Sequence, residues 1–221
     1  MRLSLRVRTL FAVVVLALLA AACGDDDSSG GDAESPAPDS QASTTTETPE
    51  PGGIITMGTY TEPSGLDPVV AQGGGTSGNS EMAAIYGTLM RYDAETDTYE
   101  PYMAESLEPN DDFTEWTLKL RPGVTFTDGT PYNAEAVVFG MKRHTQHGST
   151  LASQVAIIDE YTVVDDLTVT FKLKGPWPGF PYVLSNTPGM IPSMAAIQAA
   201  CPDPATPARE CTFNRSPVGA G

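Results

Sequence analysis

Cysteine, histidine and basic side chains are all scarce in this 221-residue sequence, which holds three cysteines, two histidines and 12 Lys+Arg against 28 Asp+Glu, a formal charge of −16. That acidity argues against nucleic acid as a partner, because a phosphate backbone needs a basic face. Sequence marks of catalysis are missing too. There is no HExxH, no GxSxG and no GK[ST] loop, which removes the usual signatures of a metalloprotease, a serine hydrolase and a phosphate cradle. Gly73, Gly74, Gly75 and Gly78 lack G-x-G-x-x-G spacing and read as a flexible loop. His144 and His147 can in principle share a metal, but two ligands are too few for a closed site, and histidine also suits a helix C-terminus. They read as a surface cluster, and no metal or cofactor is expected.

No apolar run reaches the roughly 20 residues that a membrane-spanning helix needs. The first 22 residues instead carry Arg2, Arg6 and Arg8, an apolar stretch from Leu10 to Leu19, and Ala20-Ala21-Ala22 directly before Cys23. This is the pattern of a secretory signal. A cysteine after small residues is similar to a lipobox, which makes Cys23 a lipidation site and the first residue of the mature chain. Ala20 stands where lipoboxes usually have Leu, and ordinary cleavage leaving a free Cys23 is the other reading. Removing the three arginines with the leader shifts the formal charge from −16 to −19.

Residues 23–53 read as an acidic tether of Asp, Ser, Gly, Pro, Thr and Glu. Beyond Cys23 this stretch has no Lys, Arg or aromatic residue, so it cannot bury enough apolar surface to fold. On flexible-chain scaling it reaches ~30 Å, enough to lift a folded body off a membrane. Residues 54–221 are the expected folded part. Within them, Cys201 and Cys211 close a polar, Pro-rich loop. In an oxidising compartment the two read as a disulfide, which would stabilise by roughly 3 kcal/mol on the chain-entropy model. A metal or redox pair is the alternative, although the spacing fits neither pattern.

Along the folded part, Ile54 to Tyr60 is a β-rich run predicted to be a first buried strand. Glu81 to Met90 has helical spacing, with Ser80 as candidate N-cap. Tyr92 to Asn110 reads as a turn-rich connection. Glu115 to Leu120 and Val124 to Phe126 are predicted strands of one hairpin after Asp111-Asp112, with Trp116 covering the core. Asp128-Gly129 with Pro131 makes a turn, and Ala134 to Arg143 is a helix capped by Asn133. Ile157 to Val164 and Thr168 to Leu173 alternate around Asp165-Asp166 as a hairpin. Trp177 to Leu184 is expected to cover the sheet, and Ser193 to cap a short helix through Ala200.

The order of LRPGVTFTDGTPYNAEAVVFGMKR from Leu120, GTYTEPSGLDP from Gly58, IYGTLMRYD from Ile85, YEPYMAESLEPNDD from Tyr99 and SPVGAG from Ser216 resembles the family 5 extracellular solute-binding proteins, the peptide, dipeptide and nickel class of ABC importers. Ala136 replaces the usual acidic residue of the AEDV-like helix start. The resemblance implies a mixed α/β fold, the N-terminal part of a two-lobed, type II periplasmic-binding-protein-like fold. It also implies that the Pro101 to Leu107 segment packs beside the sheet without chemistry, and that the loop after the first strand borders the ligand cleft. Tyr60, Thr61, Glu62, Pro63 and Ser64 are therefore the candidate ligand-facing residues, with an exposed turn leading to Asp67 as the other reading. Because SPVGAG matches a landmark that lies well before the family's midpoint, the resemblance implies a longer protein whose second lobe follows.

The implied function is capture of a peptide or similar small solute by a monomeric, exported, lipid-anchored protein, and its delivery to ABC permease subunits, with no catalysis required. The alternatives are a surface lipoprotein with an interaction or signalling role on the same fold, and a secreted hydrolase, whose motifs are missing. The sequence does not choose among peptide, nickel, haem and sugar as ligand.

Overall fold

The computed structural model describes residues 53, 54, 56, 58, 62–70 and 79–221. Cys23, Tyr60, Thr61, the glycine loop at 73–78 and most of residues 1–53 lie outside the described residues. In the strand predicted for Ile54 to Tyr60, the described members Ile54, Thr56 and Gly58 carry no strand, and Ile54 is exposed rather than buried. No described strand offers them a ladder partner, and a strand needs one.

The described body is mixed α/β. Helix α1 (Asn79–Tyr86) leads to a two-stranded hairpin, β1 (Met90–Asp93) and β2 (Thr98–Pro101). A four-stranded antiparallel sheet follows, from β3 (Ala104–Pro109), β4 (Glu115–Leu120), β5 (Ile158–Asp165) and β6 (Thr168–Leu173), in the order β3-β4-β6-β5. Helices α2 (Ala134–Gln146), α3 (Ala152–Val155), α4 (Phe180–Leu184) and α5 (Met194–Ala200) complete the set, with short 3₁₀ turns at Thr187–Gly189 and Thr212–Asn214. Among the described residues no helix is long and apolar enough to cross a membrane.

The sheet forms where strand periodicity is cleanest. Trp116, Leu118 and Leu120 of β4 share a buried face with Val169, Phe171 and Leu173 of β6, and the register sets Leu118 opposite Val169 and Trp116 opposite Phe171. Phe180 of α4 closes over this face, its ring 5.8 Å from Trp116 and 5.4 Å from Phe171, distances suited to tilted aromatic packing. Ala134, Val137 and Met141 of α2 join the same core. Asn133 caps α2 as predicted, its side chain accepting from the Ala136 amide at 3.0 Å, and Ser193 caps α5 through the Ala196 amide. The β5–β6 hairpin stands where the alternation placed it.

Four expectations need correction. The helix predicted for Glu81 to Met90 begins at Asn79 and ends at Tyr86. Gly87, at φ +64°, turns the chain out of the helix, and Met90 starts β1 instead. Ser80 therefore lies inside the helix rather than capping it. The turn-rich connection before Asn110 holds three short strands, and Pro101 to Leu107 supplies the end of β2 and part of β3, an edge of the sheet itself. Val124 to Phe126 is not a strand of the sheet, because both edges of β4 are already taken by β3 and β6. It forms an isolated bridge from Thr125 to Pro131 around the Asp128-Gly129 turn. His144, expected on the surface, is buried, since it continues the inward stripe through Val137 and Met141 at helical spacing.

Candidate functional site

The loop from Glu62 to Val70 has no regular secondary structure, and its Leu66–Val70 part is tied down by hydrogen bonds and an ion pair. Asp67 is fully buried, and its carboxylate accepts two hydrogen bonds from the Arg143 guanidinium of α2, Nη1 to Oδ1 at 2.9 Å and Nη2 to Oδ2 at 2.6 Å. The same carboxylate accepts from the Val69 amide at 3.2 Å, so the loop folds over its own side chain. Asn214, from the 3₁₀ turn after the cysteine loop, holds the other side. Its side-chain oxygen accepts from the Asp67 amide at 3.2 Å, and its backbone oxygen accepts from the Leu66 amide at 3.1 Å. Tyr86 of α1 donates its hydroxyl to the Leu66 carbonyl at 2.7 Å. Gly65 lies so close to the Asn214 side chain that any Cβ there would collide with it.

Burial sets the electrostatics around this knot. The Tyr86 phenol is pushed far up by desolvation, with Asp67 raising it further, and stays neutral. His144 is pushed down to about 4 by desolvation and then by the neighbouring Arg143 cation, against the opposing pull of Asp67 and a backbone hydrogen bond with Thr187. Its Nδ1 lies 2.8 Å from the Ser149 hydroxyl. His147 is also lowered, first by desolvation. The two histidines have no third partner for a metal: among the described residues no group of three His, Cys, Asp or Glu side chains is placed to hold one.

On its outer side the Glu62–Leu66 stretch lines a cavity of about 450 Å³ with Arg209, Asn214 and Arg215. The structure thus brings Glu62, Pro63 and Ser64 together at one surface, while Tyr60 and Thr61 lie outside the described residues. A larger cavity, about 610 Å³, lies elsewhere, between the C-terminal half of α2, α5 and the 201–208 loop. It contains none of the predicted ligand residues, and the Arg143 on its wall is already committed to Asp67. Cys201 and Cys211 are joined in the structure, their Cα atoms 5.6 Å apart, within the span of a disulfide.

Sequence reasoning did not find Asp67, Arg143, Asn214, Arg209 or Arg215. Glu62 and Ser64 are exposed, in keeping with either a ligand loop or an exposed turn, and the chain then buries Asp67.

Two outcomes follow. Replacing Asp67 by Asn leaves the buried Arg143 cation uncompensated and should cost about 3–5 kcal/mol, while Asp67→Leu with Arg143→Met should cost clearly less. Denaturant unfolding of the three proteins checks this, and a double variant weaker than D67N would refute it. The depressed His144 makes a second prediction. Between pH 6.5 and about 4 the unfolded chain binds a proton that the folded chain refuses, so this group's contribution to stability falls as pH drops through that window, by about 3 kcal/mol. The His144→Gln protein should show a flatter pH-stability profile there, measured by unfolding at each pH, and an unchanged slope would count against it.

Comparison with known proteins gives this geometry a family. Residues 98–221 match the family model for bacterial extracellular solute-binding proteins, family 5 Middle. The probable D,D-dipeptide-binding periplasmic protein DdpA of Escherichia coli is 30% identical over 162 residues, covering 70% of this chain and 30% of that protein. Protein XP55 of Streptomyces lividans is 30% identical over 169 residues, covering 76% of this chain and 28% of its own length. This chain therefore spans about three-tenths of the length of these two relatives. Among solved structures, AgaA of Agrobacterium tumefaciens in complex with agropinic acid superposes with a TM-score of 0.61 at 31% identity, covering 72% of this chain and 30% of that one. The oligopeptide-binding AppA of Bacillus subtilis, at 22% identity, shares the fold with a TM-score of 0.62, covering 72% of this chain and 31% of that one. The fold held in common is that of type II periplasmic binding proteins, of which this chain covers a part. The chain belongs to the family 5 bacterial extracellular solute-binding proteins.

Proposed function

We propose that this chain is part of an extracytoplasmic substrate-binding lipoprotein of an ABC importer, which captures peptides or similar small solutes and passes them to a permease. The observation that carries the reading is the Glu62–Leu66 stretch, which lines a cavity and runs directly into the anchored Asp67–Arg143 pair. Membership of a solute-binding family supports it, as do relatives described as binding D,D-dipeptides and agropinic acid. The proposed ligand-contacting set also includes Tyr60 and Thr61. Capture works by closure of two lobes: the ligand favours the closed form by its differential affinity, and the permease reads that form. No step of this cycle makes or breaks a covalent bond in the solute.

Cys23 carries the lipid, residues 1–22 are the signal peptide, and residues 23–53 are the tether that holds the 54–221 body near the permease. The Cys201–Cys211 disulfide closes its loop after export.

Two measurements test this reading. Thermal unfolding of the purified chain against a library of di- and tripeptides should show an upward Tm shift for some members, because a ligand that binds only the folded form stabilises it. No shift from any peptide would reject peptide capture. Mass spectrometry of the membrane fraction of expressing bacteria should find a mature N-terminus at a diacylated Cys23, lost in Cys23→Ala. An unmodified Cys23, or cleavage elsewhere, would remove the anchor.

A further inference from the structure

Five of the nine basic side chains in the described body have partners, and Lys119 and Lys172 stand apart on β4 and β6. Arg143 is held by Asp67, Arg91 pairs with Glu100 at 3.1 Å, Arg121 donates to the Tyr102 carbonyl at 2.9 Å, Lys174 donates to the Ala156 carbonyl at 2.7 Å, and Lys142 lies over the Tyr161 ring. Arg209 and Arg215 differ. Both are exposed, and neither guanidinium forms an ion pair, hydrogen bond or ring contact with another group among the described residues. Both also line the same two places: the cavity of about 450 Å³ along Glu62–Leu66, and an adjoining one of about 530 Å³ along residues 209–216. Each cavity carries one carboxylate beside them, Glu62 in the first and Glu210 in the second. The lining charge is thus +1 in each, in a chain whose formal charge is −16.

The backbones that carry these arginines are fixed to the ligand loop at two separate points. Arg209 follows Ala208, which is buried in a cluster with Val69 and Val70 of that loop. Arg215 follows Asn214, which accepts from both the Leu66 and Asp67 amides. Two guanidinium groups are therefore mounted on rigid supports beside one cavity while keeping their donors uncommitted. Arginine presents a planar fork of donors that matches a carboxylate two bonds at a time. From this we infer that the Glu62–Leu66 cavity is a carboxylate subsite, in which Arg209 and Arg215 together grip the carboxylate of a small acidic or zwitterionic solute. The net lining charge of +1 suits a single carboxylate. The inference rests on the solute-capture reading and narrows it to ligands bearing a free acid group.

Titration of the chain with trialanine and with its C-terminal amide tests this, followed by calorimetry and by the arginine Nε–Hε resonances. The acid should bind at least about ten-fold more tightly than the amide, with the preference shrinking as salt is raised and the resonances of both arginines moving. Arg209→Gln with Arg215→Gln should erase the preference, while Lys119→Gln with Lys172→Gln, an equal charge change on the sheet, should leave it intact. If acid and amide bind equally, or if the double variant keeps the preference, the subsite is overturned while solute capture stands. If neither probe binds, the subsite is overturned, and peptide capture is decided by the peptide library alone.

Discussion

The Asp67–Arg143 pair is the constraint on which the described site depends. Moving two charges out of water costs several kcal/mol each, and the return is comparable only when the geometry is bidentate and the remaining lone pairs are used. Both conditions hold: two guanidinium nitrogens meet two carboxylate oxygens, and the Val69 amide takes a further lone pair. Such a pair adds little net stability over a well-packed apolar replacement. What it does is specify position. The partners are 76 residues apart in sequence, so their pairing sets where an irregular loop sits against a helix that belongs to the core.

That helix, α2, is what lets one ion pair matter to the rest. Its Val137 and Met141 are built into the sheet's core, and its Phe139 packs against a second cluster containing Met82, Tyr86, Ile197 and Phe213. Tyr86 in turn reaches the Leu66 carbonyl, and Phe213 precedes the Asn214 that holds the loop's amides. The loop is thus referenced to both apolar clusters, through a charge pair from one helix and neutral hydrogen bonds from two other segments. Removing either kind of tie leaves a buried polar group without its partner, which is the costly direction of error.

Local patterns made the regular parts of this fold legible and left the site mostly hidden. The β5–β6 hairpin, the β4 strand and the caps Asn133 and Ser193 each announce themselves within a few residues, because alternation and capping are short-range chemistry. The β3 strand does not. Its AESLEP sequence has no β-branched residue, and it is extended because β4 offers it a ladder, a case of context overriding propensity. Glu62, Pro63 and Ser64 line a cavity, although the described residues before them form no strand. Asp67 and Arg143 carried one readable clue. Ala136, Gly140 and Arg143 fall at i, i+4 and i+7, so two small residues precede the arginine on one helical stripe, and a charge on a stripe of small residues points to a buried partner. Asn214 had no such signal. Its role comes from a 3₁₀ turn whose position is set by contacts far away in the chain.

For the proposed solute capture, a loop anchored before the ligand arrives matters energetically. Ordering a free backbone costs about 1–2 kcal/mol per residue, so a ligand that had to order about five residues from Glu62 to Leu66 would lose roughly 5–10 kcal/mol. Micromolar binding supplies only about 8 kcal/mol in total. A loose loop at this place would absorb most or all of the affinity of a small solute. Anchoring its C-terminal end during folding, with a buried ion pair, an asparagine and a tyrosine, shifts part of that cost onto the core. In the proposed cycle the ligand's contact energy is then left to bias the equilibrium between open and closed forms, the one quantity by which a solute can report its presence to a permease.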